Sequence, residues 1–137
     1  MNVIIAGAGR AGAALAARMA EGGHRVTVID PDRRTFDALP HPRIDSGEIT
    51  VIEGDGASND VLEKAGVQDA GLFIAVAGQD VRNGLLAQKA KLIYMVRRVV
   101  CSVKDEHLNA IYQGAGIETV NPAQMEIERV MAMLDGA

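Results

Sequence analysis

The stretch "VIIAGAGRAG", residues 3–12, runs an apolar segment straight into three glycines, Gly7, Gly9 and Gly12, with Arg10 among them. A glycine triplet that follows a strand and opens a helix has a physical task for each member. Gly7 permits a tight turn. Gly9 lets the backbone approach a phosphate with no Cβ in the way. Gly12 lets the helix pack close to the strand. The unpaired N–H groups and the positive end of such a helix attract an anion. Arg10 adds a planar fork that binds phosphate through paired charge-assisted bonds, and Ala11 sits between it and the last glycine.

Outward from this loop the chain alternates. Strands are predicted at Asn2–Ala6, Arg25–Asp30, Ile49–Glu53, Leu72–Ala77, Val99–Val103 and Glu118–Asn121. Several are continuous apolar runs, as expected of strands covered on both faces. Helices are predicted between them. The first spans about Gly9 to Glu21 and stops at Gly22-Gly23; the second is short, Asp32–Leu39, and is closed by Pro40 and Pro42. The third is capped by Ser58 and ended by Gly66, the fourth covers Gln79–Ile93, and the fifth covers Asp105–Gln113. Asn121 followed by Pro122 starts a last helix to Leu134. His41–Gly47 reads as the loose loop of the chain. Alternation at this spacing implies parallel strands joined by right-handed crossovers. The fold class is therefore α/β, a Rossmann-type doubly wound parallel sheet of six strands in order 3-2-1-4-5-6, in a single domain over 1–137.

The bulk numbers agree and exclude other classes. The chain has 137 residues, 48% of them hydrophobic, which suits one globular core. A net charge of -4 with both signs scattered argues against nucleic acid as a partner. One cysteine, Cys101, cannot form an intrachain disulfide and fits a reducing, cytoplasmic setting. No basic-then-apolar leader opens the chain, and its apolar runs fall well short of the roughly 20 residues that span a bilayer.

Two acidic residues extend the loop reading. Asp30 ends the second strand, 18 residues after Gly12. A carboxylate there accepts from both ribose hydroxyls of an adenosine and disfavours a 2′-phosphate, so NAD is expected over NADP, although Arg33 and Arg34 follow closely. Asp55, in "EGDGAS", ends the third strand on the adenine side of such a fold; the alternative is an ordinary turn aspartate.

Together "IIAGAGRAG", "VTVIDPD", "VIEGDGAS…LEKAGVQDAGLFIAV" and "GAGIETVNP" resemble the RCK/KTN (TrkA N-terminal) domain, the nucleotide-binding regulatory domain of potassium uptake systems and gated potassium channels. The resemblance runs from Met1 to about Leu134. It implies NAD(H) or an adenine nucleotide such as ATP or ADP as a regulatory ligand, bound as a signal, and a membrane potassium transporter or channel subunit as partner. It implies a homodimer or higher ring, cytoplasmic or peripheral at the inner face of the plasma membrane, with no direct membrane insertion. Carried over by residue, Gly7, Gly9, Arg10, Ala11 and Gly12 form the phosphate loop, Asp30 holds the ribose, Asp55 lies on the adenine side, and Ala77 and Gly78 face the ligand. Asn83 falls where the family often has an asparagine. One position departs: Ser102 in "CSV" stands where the family commonly has an arginine.

The last helix, "PAQMEIERVMAML", carries Met125, Ile127, Val130, Met131, Met133 and Leu134, more than one narrow stripe. Either it is a well-buried edge helix, or a second face packs on a partner with methionines as adaptable fillers. The rival function is a small NAD-dependent oxidoreductase. Such an enzyme needs a substrate pocket and an acid or base near the nicotinamide, and the domain uses the whole chain. His24, His41 and His107 read as surface residues. Neither Tyr94 nor Tyr112 has a lysine four residues on, and no Cys/His cluster has metal-site spacing. The chain is therefore read as a regulator and not an enzyme; the second, smaller ligand-binding domain that often follows in this family is not among these residues, which fits either a one-domain regulator or a piece of a longer protein.

Overall fold

The computed structural model describes residues 1–136. Six parallel strands form one sheet in the order β3-β2-β1-β4-β5-β6. They are β1 Asn2–Ala6, β2 Arg25–Asp30, β3 Ile49–Glu53, β4 Leu72–Ala75, β5 Arg98–Ser102 and β6 Glu118–Val120. The helices are α1 Arg10–Glu21, α2 His41–Asp45, α3 Asn59–Lys64, α4 Asp80–Gln88, α5 Glu106–Gly114 and α6 Pro122–Asp135. This is the doubly wound order expected, with the strand order reversing between β1 and β4.

Alternation within the strands divides the core. Val3 and Ile5 of β1 face α1, whose small residues Ala13, Ala16 and Ala20 let it lie close to the sheet. Ile4 of β1 and Phe73 of β4 point to the other face, under Leu62 of α3, Leu86 of α4 and Tyr112 of α5. Both central strands are buried along their apolar runs, which is why they carry no alternation. Each fully buried Ile, Leu or Phe contributes roughly 1.5–3 kcal/mol relative to exposure.

Local signals place most helix starts. Ser58 accepts from the Val61 N–H, Asp105 from the Leu108 N–H, and Asn121 from the Gln124 N–H with Pro122 next to it. Three local expectations change. The second predicted helix is a 3-10 turn over Arg33–Ala38, capped by Asp32. The stretch expected as a loop holds α2, where Pro42 stands in the first turn, a place that needs no N–H. The fourth predicted helix does not run on as α-helix to Ile93: Lys89–Ile93 widens into a π-turn, and the Tyr94 N–H donates to the Lys89 carbonyl. Met95 then takes a left-handed φ of 56°, which turns Val96 into the core.

The last helix corrects one of its two readings. No residue of α6 is buried, so it is not a buried edge helix. Met125, Ile127, Val130, Met131, Met133 and Leu134 are all exposed.

Candidate functional site

The strand ends, where β1 and β4 part, enclose a cleft of about 710 Å³. That volume suits a bound small molecule, and the place is where open α/β sheets bind ligands. Its floor is the glycine loop. Gly7 has a φ of +112°, and a Cβ on it would stand 2.8 Å from the Ala77 nitrogen. Gly12 does not reach the cleft. It is the contact between α1 and the loop, for its Cβ would lie 1.8 Å from the Gly7 carbonyl oxygen. Gly9 caps α1 with no side-chain cap, lines the cleft, and has no protein atom within 4 Å of where a Cβ would be. The start of α1, whose first-turn N–H groups have no partner within the helix, therefore stands at the cleft without a side-chain cap.

Arg10 and Ala11 line the same cleft. The first turn of α1 has no acidic residue, and among the described residues Arg10 makes no ion pair. An arginine at the positive end of a helix is disfavoured by the dipole. Its guanidinium keeps the capacity to bind an anion.

Asp30 lies at the end of β2, half-buried, and lines the cleft. Its Oδ2 accepts from the Ala8 N–H at 2.9 Å and its Oδ1 from the Asp32 N–H at 2.8 Å. It therefore clips the glycine loop to the turn after β2. Each oxygen keeps a second lone pair. The neighbouring arginines point elsewhere. Arg33 pairs with Glu53 at 3.5 Å, and Arg34 grips Asp32 with two bonds of 3.0 and 2.9 Å. The Arg34 hydrogen bond, helped by the Arg34 backbone N–H, holds the Asp32 carboxyl below its ordinary range.

Ala77 and Gly78 form the opposite wall. They are held by Asn83, the one buried polar side chain among the described residues. Its Oδ1 accepts from the Ala77 N–H at 2.7 Å, and its Nδ2 donates to the carbonyls of Ala77 at 2.8 Å and Ser102 at 3.1 Å. One amide thus ties the loop after β4 to the end of β5. Asp80, at the first position of α4, strengthens the same join by accepting from the N–H groups of Lys104 and Asp105.

Asp55 does not line the cleft. Its Oδ1 accepts from the Ala57 N–H at 2.8 Å and pairs with Arg82 of α4, and Arg82 lines the cleft in its place. Pro31, Thr35, Gly56, Gln79 and Leu86 complete the walls. Pro31 and Gly56 belong to the quoted stretches "VTVIDPD" and "VIEGDGAS", whereas Thr35, Gln79 and Leu86 carry no local signal that points to the cleft.

No general acid or base stands in the cleft besides Asp30, and its oxygens serve the backbone. Cys101 is buried away from solvent, and that burial pushes its thiol up to about 12, which leaves it inert as a nucleophile. Among the described residues no group of His, Cys, Asp or Glu could hold a metal ion, and no helix is long and apolar enough to cross a membrane.

Known proteins share this fold. The Trk system potassium uptake protein TrkA of Streptomyces coelicolor is 33% identical over 134 residues, 98% of this chain. The chain spans 58% of the length of that relative. Among solved structures, the AMP-bound Kef C-terminal domain of Shewanella denitrificans has a TM-score of 0.72 at 21% identity, covering 97% of this chain and 82% of that one. The GsuK channel bound to NAD has a TM-score of 0.69 at 18% identity, covering 87% and 21%. A short-chain dehydrogenase from Veillonella parvula in complex with NADP scores 0.59 at 26% identity, covering 74% and 46%. Residues 3–122 match the TrkA-N domain family, and the chain belongs to that family.

Proposed function

We propose that this chain is one regulatory domain that binds NAD(H) or an adenine nucleotide and passes the state of its cleft to a membrane potassium transporter or channel subunit. The observation that carries the reading is Arg10 at the start of α1, which lines the cleft with the glycine loop and makes no ion pair among the described residues. Phosphates at that end and a ribose at the second lone pairs of Asp30 use each group for what it offers. NADP fits less well. Arg33 and Arg34 are engaged by Glu53 and Asp32, so a 2′-phosphate would meet Asp30 with no cation beside it.

Relatives named as potassium uptake proteins, and similar folds bound to NAD or AMP, support a sensor over an enzyme. A dehydrogenase on the same kind of sheet keeps the oxidoreductase as second reading. This cleft offers it no proton donor or acceptor beyond Asp30. The cleft lies where the two halves of the sheet meet. Unequal affinity of two arrangements of those halves for the nucleotide would shift the balance between them.

The wholly exposed α6 supports self-association as the route outward. A 14-residue helix with no buried face is marginal in water, and its apolar side chains ask for cover. We read a second copy as that cover, in a homodimer or a larger ring on the cytoplasmic side.

The test is mass spectrometry of small molecules released by heating the purified protein. Release of NAD(H), ATP, ADP or AMP, absent from an Arg10→Ala preparation, is expected. Release of none, together with no binding on titration, would refute the nucleotide reading.

A further inference from the structure

Two arginines line the cleft, each in the first turn of a helix: Arg10 in α1 and Arg82 in α4. The helix dipole disfavours both. Arg10 is unpaired. Arg82 is held, because its Nη2 donates to Asp55 Oδ1 and so joins α4 to the loop after β3. One turn further along α4, Leu86 lies against Gly56, where a Cβ would stand 3.3 Å from Leu86 Cδ2. Just past the helix end, Lys89 Nζ donates to the Ala57 carbonyl. Positions 82, 86 and 89 are spaced i, i+4 and i+7, so one helix face grips residues 55–57.

Pairing changes what each arginine can take. An unpaired guanidinium is a phosphate ligand. A guanidinium neutralised by a carboxylate has little net charge to offer a second phosphate. It keeps its flat face, and with Leu86 beside it that face is a platform for an uncharged ring.

We propose that Arg82 is the residue that recognises the base, stacking it at the α4 side of the cleft, and that Asp55 is a positioning residue acting through Arg82. The two arginines then set the direction of the ligand, phosphates at Arg10 and base at Arg82. This assignment rests on the nucleotide reading above and adds to it a contact that the glycine loop cannot supply.

The experiment titrates three probes into the full chain by calorimetry: AMP, adenosine (base without phosphate) and ribose 5-phosphate (phosphate without base). Arg82→Leu is expected to weaken AMP and adenosine about fivefold or more, the scale of a guanidinium–ring contact, and to leave ribose 5-phosphate within about twofold. Arg10→Leu should do the reverse, weakening AMP and ribose 5-phosphate and sparing adenosine. Asp55→Asn, which releases the cation, should raise ribose 5-phosphate affinity while lowering that of adenosine. Retained ribose 5-phosphate binding reports that the Arg82 and Asp55 variants are folded, and retained adenosine binding reports it for Arg10→Leu. If Arg82→Leu weakens none of the probes, or all three alike, the base assignment is overturned while AMP binding by the unaltered chain keeps the nucleotide reading. If the unaltered chain binds neither AMP nor adenosine, and none of NAD, NADH, ATP and ADP, both fall.

Discussion

α1 and α6 are similar in length and both rich in apolar residues, yet one is seated on the sheet and the other is exposed throughout. α1 seats Gly12, Ala13, Ala16 and Ala20 against the sheet, and α6 buries nothing. The difference lies in side-chain size and position. α1 follows a central strand and carries small residues, so it approaches until its Gly12 touches the Gly7 carbonyl oxygen. α6 follows β6, the short edge strand, and carries Met, Ile, Leu and Val with no sheet beneath them. The sheet and its first five helices share two buried cores to which α6 adds no buried residue. The last helix leaves its apolar side chains exposed.

The largest effect should come from breaking the tight side of this contrast. Gly12→Ala places a Cβ against backbone that cannot yield, and is expected to destabilise by at least about 3 kcal/mol or to prevent folding. Chemical denaturation checks it; an unchanged midpoint would mean that α1 is not seated as described. Next is Asn83→Ala. It removes the partner of the Ala77 N–H and of two carbonyls in a half-buried setting, at a cost of about 1–2 kcal/mol. The same substitution should loosen the Ala77–Gly78 wall and weaken nucleotide binding.

Removal of residues 122–137 should act the other way. With no buried residue in α6, the remainder should keep its far-UV signature and its cooperative unfolding. Sedimentation should then show that self-association is lost; a truncated chain that still dimerises would take α6 out of the interface. Met131→Glu sharpens the point. An exposed substitution costs a lone domain no more than about 0.5 kcal/mol, but a charge in a covered apolar face should shift the protein toward monomer.

The smallest effect is on pH. The Arg98 hydrogen bonds hold Glu118 below its ordinary range, as Arg34 does Asp32. A depressed acid stabilises the fold above its unfolded value, and that contribution is lost as pH falls through the lowered folded value. Both pairs are exposed, so the loss should be slight, confined to acid below the usual carboxylate range, and erased by salt. Melting curves across that window at low and high salt test it.

The sheet was legible because its evidence is local and repeated. Val3–Ala6 and Leu72–Ala75 are apolar runs of strand length, and caps such as Ser58 and Asn121 mark helix starts. The glycine loop and Asp30 were legible because the backbone itself needs them there. What escaped depends on distant partners. Nothing near Arg82 in the chain announces Asp55, 27 residues earlier, and nothing near Asn83 announces Ser102. Met95 in a left-handed conformation and the π-turn before it answer to the burial of Val96, which periodicity does not report. The exposure of α6 was open to two readings because a sequence records which face is apolar, not what lies against it.

The account stands or falls on the cleft. Its most direct test is calorimetric titration of NAD, NADH, ATP and ADP into the full chain and into Asp30→Ala. Saturable one-site binding of at least one of them, weakened tenfold or more by the substitution, is the predicted result. Binding of none, or binding that Asp30→Ala leaves unaltered, would contradict it.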